Sequence, residues 1–380
     1  MDQNNRINGN RKSLENLFYD NIENFLLTTT SKSIMKQLDT VIIGQEEAKK
    51  TATVLLFEHI YKVRFDKAGA YKKQNLLMIG PSGCGKTEIM RQLKKIIPVN
   101  ITIFDASSIT QEGWKGDVKI QSIGEKVLSD CMEMYNSMQK ITSDINPEFL
   151  NTLINTSIVV LDEFDKVVKP KYSGEENISV SLMGEMLKLF EDGTYQVTSD
   201  RSTIPFTIDY SRIPIIALGA FSELTSPKKA SNAVGFATGE KKDPEEPEDK
   251  RFTTNDLIQY GLTHELAGRI QNIVTLSPLT KDDMLSIIKS DQSFVTEYKS
   301  LLSRLYGIEL RFTEEAYEDI AEEALKSQTG ARALETCLIN IKNRIIWDTP
   351  GRCIVTITSH DTFKYRLREN DPRKSRSRTF

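Results

Sequence analysis

Two stretches of this sequence hold residue types whose spacing can do chemistry on a nucleoside triphosphate. The first is Gly80-Pro81-Ser82-Gly83-Cys84-Gly85-Lys86-Thr87, which fits the G-x-x-x-x-G-K-[ST] pattern of a phosphate-binding P-loop. Its glycines let the backbone curl so that successive N–H groups point inward at phosphate oxygens. Lys86 is placed to reach the β- and γ-phosphates, and the Thr87 hydroxyl to ligate Mg²⁺. The second is Ser157-Ile158-Val159-Val160-Leu161-Asp162-Glu163, an apolar run ending in two carboxylates. Asp162 is placed to hold Mg²⁺ and Glu163 to orient and activate the attacking water. The bland alternatives are a glycine-rich turn before a helix and a solvated acidic turn.

The elements needed to position these residues are legible around them. Leu76-Leu77-Met78-Ile79 is a buried-strand pattern, and Glu88 to Leu93 continues as a helix. Strand, glycine loop and helix is the context a P-loop requires, with the helix N-terminus turned to the phosphates. The apolar run before Asp162 fits a parallel sheet covered on both faces, and ligands of such sheets sit at the carboxyl ends of strands. Ile101 to Asp105 and Ile213 to Leu218 read as further strands; Pro214 in the latter is tolerated only near a strand start or at an edge.

Bulk properties narrow the class. The chain has 380 residues, room for two or three domains, and a net charge of −3 that argues against bulk nucleic-acid binding. Four cysteines (Cys84, Cys131, Cys337, Cys353) form no C-x-x-C pair and three histidines stand apart. No zinc site is therefore expected, and a reducing, cytoplasmic location is. No apolar run reaches membrane-spanning length, and the N-terminus lacks an apolar signal core.

Residues 1–12 read as disordered, and Leu14 to Leu26 as an amphipathic helix that packs on its own chain or on a partner. A long helix should run to about Arg64, with others over Ile120 to Met138, Pro147 to Ile154 and Leu182 to Phe190. Residues 167–180 read as a polar loop, Thr203 to Asp209 as a strand, and Asp256 to Ile270 as helical. Lys281 to Trp347 reads as helical with breaks near Gly307 and Gly330, followed by strands at Ile354 to Ile357 and Phe363 to Leu367. In Gly113-Trp114-Lys115-Gly116-Asp117, the Trp either folds into the core or stands exposed at a loop tip; the residues alone leave both open. Ala233-Val234-Gly235-Phe236-Ala237 sits in an irregular charged segment, where the Phe must dock somewhere, its own domain included. The tail from Arg368 is basic and Ser-rich.

With these residues in hand, the chain resembles the ClpX family of AAA+ protein unfoldases, in the Clp/Hsp100 branch, from about Leu38 to Ile357. Ile42-Ile43-Gly44-Gln45 is similar to the family's V-I-G-Q segment, whose apolar residues line the adenine pocket. Gly80 to Thr87 and Leu161-Asp162-Glu163-Phe164-Asp165-Lys166 correspond to its Walker A and B motifs. Asp256 through Gly268-Arg269 is similar to its arginine-finger box, which implies that Arg269 reaches the γ-phosphate held by a neighbouring subunit. Thr329-Gly330-Ala331-Arg332 is similar to its sensor-2 motif, with Arg332 on the nucleotide of its own subunit. Gly113-Trp114-Lys115-Gly116 falls where the family has its pore loop, so the resemblance puts Trp114 and Lys115 in contact with polypeptide. Val234-Gly235-Phe236 falls where the family carries the I-G-F tripeptide that docks on the ClpP peptidase ring.

The departures are specific. No cysteine pairs precede the ATPase core, so the family's zinc-binding N-domain is not matched. The stretch between Thr194 and Phe206 lacks its R-K-H motif, no sensor-1 Asn or Thr ends the Ile213 strand, and Cys84 replaces a small hydroxyl or Gly in the P-loop.

The resemblance implies an α/β fold. Residues 36–276 would form an AAA+ large domain with a five-stranded parallel sheet, and 277–362 a smaller, mostly helical lid with nucleotide between the two. Residues 1–35 would be an N-terminal extension and 363–380 a basic tail. It implies Mg²⁺-dependent ATP hydrolysis in a ring, most simply a hexamer, that drives unfolded or tagged polypeptide through a pore to a ClpP-like peptidase. The alternatives are a stand-alone remodelling chaperone and an ATP-switched nucleic-acid-binding module.

Overall fold

A computed structural model of the chain describes residues 2–66, 69–111, 119–139, 145–170, 172–173, 176–199, 202–222, 224, 252–290, 294–327 and 329–367. These divide into two compact units. Unit one holds residues up to Lys36, Glu46–Gly80 and Lys86–Leu276; unit two holds Gln37–Gln45, Pro81–Gly85 and the chain from Ser277.

Unit one begins with the long helix α1 (Asp2–Thr28), then α2 (Ser31–Asp39), whose end clusters with unit two, and α3 (Glu46–Phe65). Residues 1–12, expected to be disordered, are helical from Asp2. A helix nucleated by the apolar stripe after Ser13 extends backward at one hydrogen bond per residue, which polar residues do not prevent. Phe18 and Ile22 of α1 are buried, Phe18 meets Phe149 edge-on at 6.0 Å, and Glu23 pairs with Arg64 at 2.6 Å. The helix thus packs on its own chain.

Next come β1 (Leu76–Ile79), α4 (Lys86–Ile96), β2 (Ile101–Asp105), α5 (Ser107–Gln111), α6 (Lys119–Met138), α7 (Pro147–Asn155) and β3 (Ile158–Asp162). Asn146 caps α7 by accepting from the Glu148 and Phe149 amides, with Pro147 opening the helix. Where a polar loop was expected over 167–180 the chain forms α8 (Asp165–Val168), a hairpin of β4 (Tyr172–Ser173) and β5 (Glu176–Asn177), and the start of α9 (Ile178–Phe190). The Asn177 side chain accepts from the Ser179 amide, so a residue read as loop is the cap of the helix. The hairpin β6 (Thr194–Ser199) and β7 (Ser202–Asp209) precedes β8 (Ile215–Gly219). Asp256 to Ile270 is two short helices, α10 (Thr254–Tyr260) and α11 (His264–Ala267), because Gly261 at φ 133° stops the first. Strand β9 (Asn272–Thr275) closes the unit.

The sheet has five strands in the order β2-β3-β8-β1-β9, and all its pairings are parallel. Every residue of β1 and β8 is buried. Successive side chains point to opposite faces, so both faces are covered. Pro214 lies just outside β8, and its carbonyl accepts from Val159 N–H at 3.1 Å. It is thus accommodated at the root of a central strand, where no ladder donor is needed from it.

Unit two contains α12 (Lys281–Lys289), α13 (Phe294–Tyr306), β10 (Glu309–Phe312), α14 (Glu314–Lys326), α15 (Ala331–Asp348), β11 (Cys353–Ile357) and β12 (Phe363–Leu367). Its three-stranded sheet runs β10-β11-β12, with the first pair parallel and the second antiparallel. Strand β10 interrupts the stretch read as helical: Leu310 faces the core between exposed or half-buried Glu309 and Arg311, after a turn at Gly307 with φ 66°. Thr280 and Asp283 form a capping box on α12. No helix among the described residues is long and apolar enough to cross a membrane.

Candidate functional site

The carboxyl ends of the unit-one strands gather the residues suited to phosphate chemistry. The Gly80 N–H donates to Gly219 O at 3.2 Å, which ties the end of β1 to the end of β8. Lys86, only 8% exposed, folds its ammonium onto the Gly80 carbonyl. At the end of β3, which β8 separates from β1, the Asp162 Oδ2 accepts from the Thr87 hydroxyl at 2.8 Å. The Asp162 Oδ1 accepts from the Glu163 N–H at 3.0 Å. Both carboxylate oxygens are engaged, so the group is held in one orientation beside Thr87. A hydroxyl and a carboxylate this close are a hard-oxygen pair, the donor set that Mg²⁺ takes alongside phosphate oxygens and water. Glu163 is exposed and has φ 55°, a region costly for a side chain larger than Gly. Backbone bonds fix it: the next residue, Phe164, donates its N–H to Leu218 O at 2.8 Å.

Unit two contributes its own set. The P-loop tip, Pro81 to Gly85, is turned back by a Cys84 N–H to Pro81 O bond of 3.4 Å, with Gly83 and Gly85 at φ 74° and 105°. It lies against the start of α15: Gly83 O accepts from Ala331 N–H at 3.0 Å. The Arg332 Nη1 donates to Ser82 Oγ at 3.2 Å. Gly330 caps α15 without a side chain, and the P-loop carbonyl satisfies one of the orphan amide donors of its first turn. The Cys84 side chain is buried. Ile42 is 6% exposed and Ile43 half-buried. They lead into a turn at Gly44 and Gln45 (φ 67° and 59°), which Gln45 locks by exchanging hydrogen bonds with the Ser277 backbone at 2.8 and 3.1 Å.

Arg269 is not with this group. It stands just before β9, at the amino edge of the unit-one sheet, whereas Lys86, Thr87, Asp162 and Glu163 lie at or beyond the carboxyl ends. Strands of four or five residues separate the two edges by roughly 13–17 Å. A cavity of about 690 Å³ opens at that amino edge, lined by Lys73, Asn75, Glu191, Asp209, Arg212 and Arg269 among others. It is the arginine's cavity and not the phosphate site. Arg269 donates Nε to Glu191 Oε1 at 2.7 Å and lies within 2.6 Å of the same oxygen through Nη2. With side chains 53% and 29% exposed, such a pair contributes no more than about 1 kcal/mol to stability. Burial pushes the Lys73 ammonium down to about 7, partly offset by Asp209, Asp192 and Glu191. Burial likewise pushes the His59 ring, also lining the cavity, down to about 4.

Asn75 was not singled out in the sequence. It is 1% exposed, and its side-chain amide donates to Arg269 O at 2.9 Å and Phe190 O at 3.0 Å while accepting from Ile215 N–H at 3.0 Å. Its position, a polar residue directly before a fully apolar strand, was the available signal. Trp114, Lys115, Val234, Gly235 and Phe236, and the tail beyond Leu367, lie outside the described residues.

Comparison with known proteins gives the family. Residues 71–273 match the family model described as "AAA domain (Cdc48 subfamily)". Residues 279–345 match the "C-terminal, D2-small domain, of ClpB protein". The chain is 25% identical over 445 aligned positions to the "ATP-dependent clpX-like chaperone, mitochondrial" of Saccharomyces cerevisiae, covering 90% of this chain and 82% of that one. It is 28% identical over 341 positions to "ATP-dependent Clp protease ATP-binding subunit ClpX 2" of Wolinella succinogenes, covering 86% and 80%. The first model spans more than half of the chain and includes the P-loop, the acidic pair and Arg269, so the chain belongs to the AAA domain (Cdc48 subfamily) family and is a ClpX-like, nucleotide-binding ATPase.

Proposed function

We propose that the protein is an ATP-dependent unfoldase and translocase that works as a ring, a hexamer by resemblance. It threads polypeptide past Trp114 and Lys115 and delivers it to a ClpP-like peptidase through Val234-Gly235-Phe236. The observation that carries the ring is the division of the catalytic set. Thr87, Asp162 and Glu163 stand at one edge of the unit-one sheet and Arg269 at the other. An arginine so placed is spatially suited to a neighbour's nucleotide rather than its own. The relatives named as a chaperone and as a protease subunit supply the direction of the work.

In the reaction, Lys86 exchanges the Gly80 carbonyl for the β- and γ-phosphate oxygens. Ser82 to Gly85 offer backbone N–H groups to the same oxygens, Ile42 and Ile43 take the adenine, and Arg332 stays beside the P-loop tip. Glu163 accepts the proton of the attacking water, and Arg269 of the next copy stabilises the charge that develops on the transferred phosphoryl group. Thr87 and Asp162 would hold Mg²⁺, whose charge neutralises the phosphates when it is bound with nucleotide.

The test is the Glu163→Gln variant, which should bind ATP, hydrolyse it poorly and retain unfolded polypeptide until ATP is replaced by ADP. Normal turnover by that variant removes Glu163 from its role. ATPase stimulated by DNA and not by unfolded protein favours the nucleic-acid reading. Wild-type protein that fails to co-sediment with a ClpP ring leaves the stand-alone chaperone. Co-sedimentation lost in Phe236→Ala supports delivery.

A further inference from the structure

The Arg269 guanidinium has two edges that can each make paired hydrogen bonds: Nε with Nη2, and Nη1 with Nη2. Glu191 occupies the first edge with a single oxygen, at 2.7 Å from Nε and 2.6 Å from Nη2. That leaves the end-on edge unspent on Glu191. The backbone is fixed separately, by the Asn75 amide on the Arg269 carbonyl. The same amide holds the carbonyl of Phe190, the residue before Glu191. Carboxylate and arginine are therefore referenced to one buried side chain, at the root of the strand that leads to the P-loop.

We propose that Glu191 is the positioning residue for Arg269: it grips the side-on edge of the guanidinium so that the end-on edge is presented to an anionic phosphate oxygen held by a second copy of the chain. This rests on the reading of Arg269 as a group acting between copies. The opposite role, a latch that keeps Arg269 from its target, predicts the opposite kinetics.

The experiment mixes copies of the full chain. Acceptor copies carry Arg269→Ala, so their own site is intact but they give no arginine. Donor copies carry Glu163→Gln, so they give an arginine but do not hydrolyse. Each alone should be nearly inactive and the mixture active. A donor that also carries Glu191→Gln, close in shape and half-exposed in place, should lower kcat of the mixture by about 10- to 100-fold. KM for ATP should stay unchanged, because the acceptor's own residues hold the nucleotide. A loss of folding or assembly alone would change the yield of mixed assemblies by sedimentation and not kcat per assembly. Glu191→Asp in the donor keeps the charge one methylene short and should give an intermediate kcat. If Glu191→Gln copies do not join assemblies, the Glu191→Asp donor decides: a lowered kcat at constant KM supports the proposal, and an unchanged kcat overturns it. Equal or higher kcat with the Glu191→Gln donor overturns the positioning and leaves action between copies standing. No activity with the unaltered donor overturns action between copies, and the positioning with it.

Discussion

The contact between the P-loop tip and the start of α15 makes Gly330→Ala the most informative single substitution. Gly330 sits at φ 61° and ψ −140°, close to a region essentially reserved for glycine and worth about 1–3 kcal/mol of strain for any other residue. An added Cβ would lie 2.6 Å from Gly83 O, 2.7 Å from Gly83 C and 2.9 Å from Ser82 O. All three are backbone atoms, so no side chain can swing aside. Relief requires the P-loop tip to shift, which breaks the Ala331 N–H to Gly83 O bond, about 1 kcal/mol more. A total of about 2–4 kcal/mol corresponds to roughly 30- to 1,000-fold in an equilibrium constant. If the tip binds phosphate in this conformation, the dissociation constant for ATP should rise by that factor, read by titration with a fluorescent ATP analogue. If the tip instead holds its place, the same energy should appear as a lower melting temperature. Gly184→Ala is the control, since its Cβ meets nothing within 4 Å and a helical Gly-to-Ala change stabilises by about 0.5–1 kcal/mol. Unchanged affinity together with unchanged melting in Gly330→Ala would refute the idea that glycine is required there.

Unit one supplies two further expected outcomes. His59 is buried with Nε2 at 2.9 Å from Thr156 O, and its folded pKa of about 4 lies below the ordinary histidine value of 6.5. Between those values the unfolded chain takes up a proton that the folded one refuses. Stability is therefore full above pH 6.5 and is lost as pH falls toward 4, by up to about 3 kcal/mol. Denaturant titrations at about pH 7 and about pH 5 should show this, and His59→Gln should flatten the slope. Thr87→Val keeps the shape and removes the hydroxyl that donates to Asp162. It should raise the Mg²⁺ concentration needed for half-maximal ATPase by about tenfold or more, the equivalent of one charge-assisted bond of about 1.5–3 kcal/mol; an unchanged Mg²⁺ dependence would remove Thr87 from the metal site.

Much of unit one was readable because its signals are local. Leu76 to Ile79 and Ile158 to Leu161 are continuous apolar runs, and in a parallel sheet buried on both faces that pattern has one reading. The glycine spacing before Lys86 is likewise dictated by its own backbone. Elements whose cues are brief were lost: β10 is four residues long, and the cap at Asn177 is a single side chain inside a polar stretch. Gly330 was visible as a helix break, but the reason for a glycine lies roughly 250 residues away in Gly83, where no local pattern can point.

The residue types suited to nucleotide chemistry, Lys86, Thr87, Asp162 and Glu163, were legible in the sequence alone, because each closes or follows a buried strand that its own neighbours define. Only the tertiary structure decided where Arg269 stands relative to them. In a parallel sheet, residues that lead into a strand gather at one edge and residues that leave it gather at the other, so order along the chain becomes distance across the molecule. The partners of Arg269, Asn75 and Glu191, come from separate parts of the chain and meet only because β1, α9 and β9 converge at that edge.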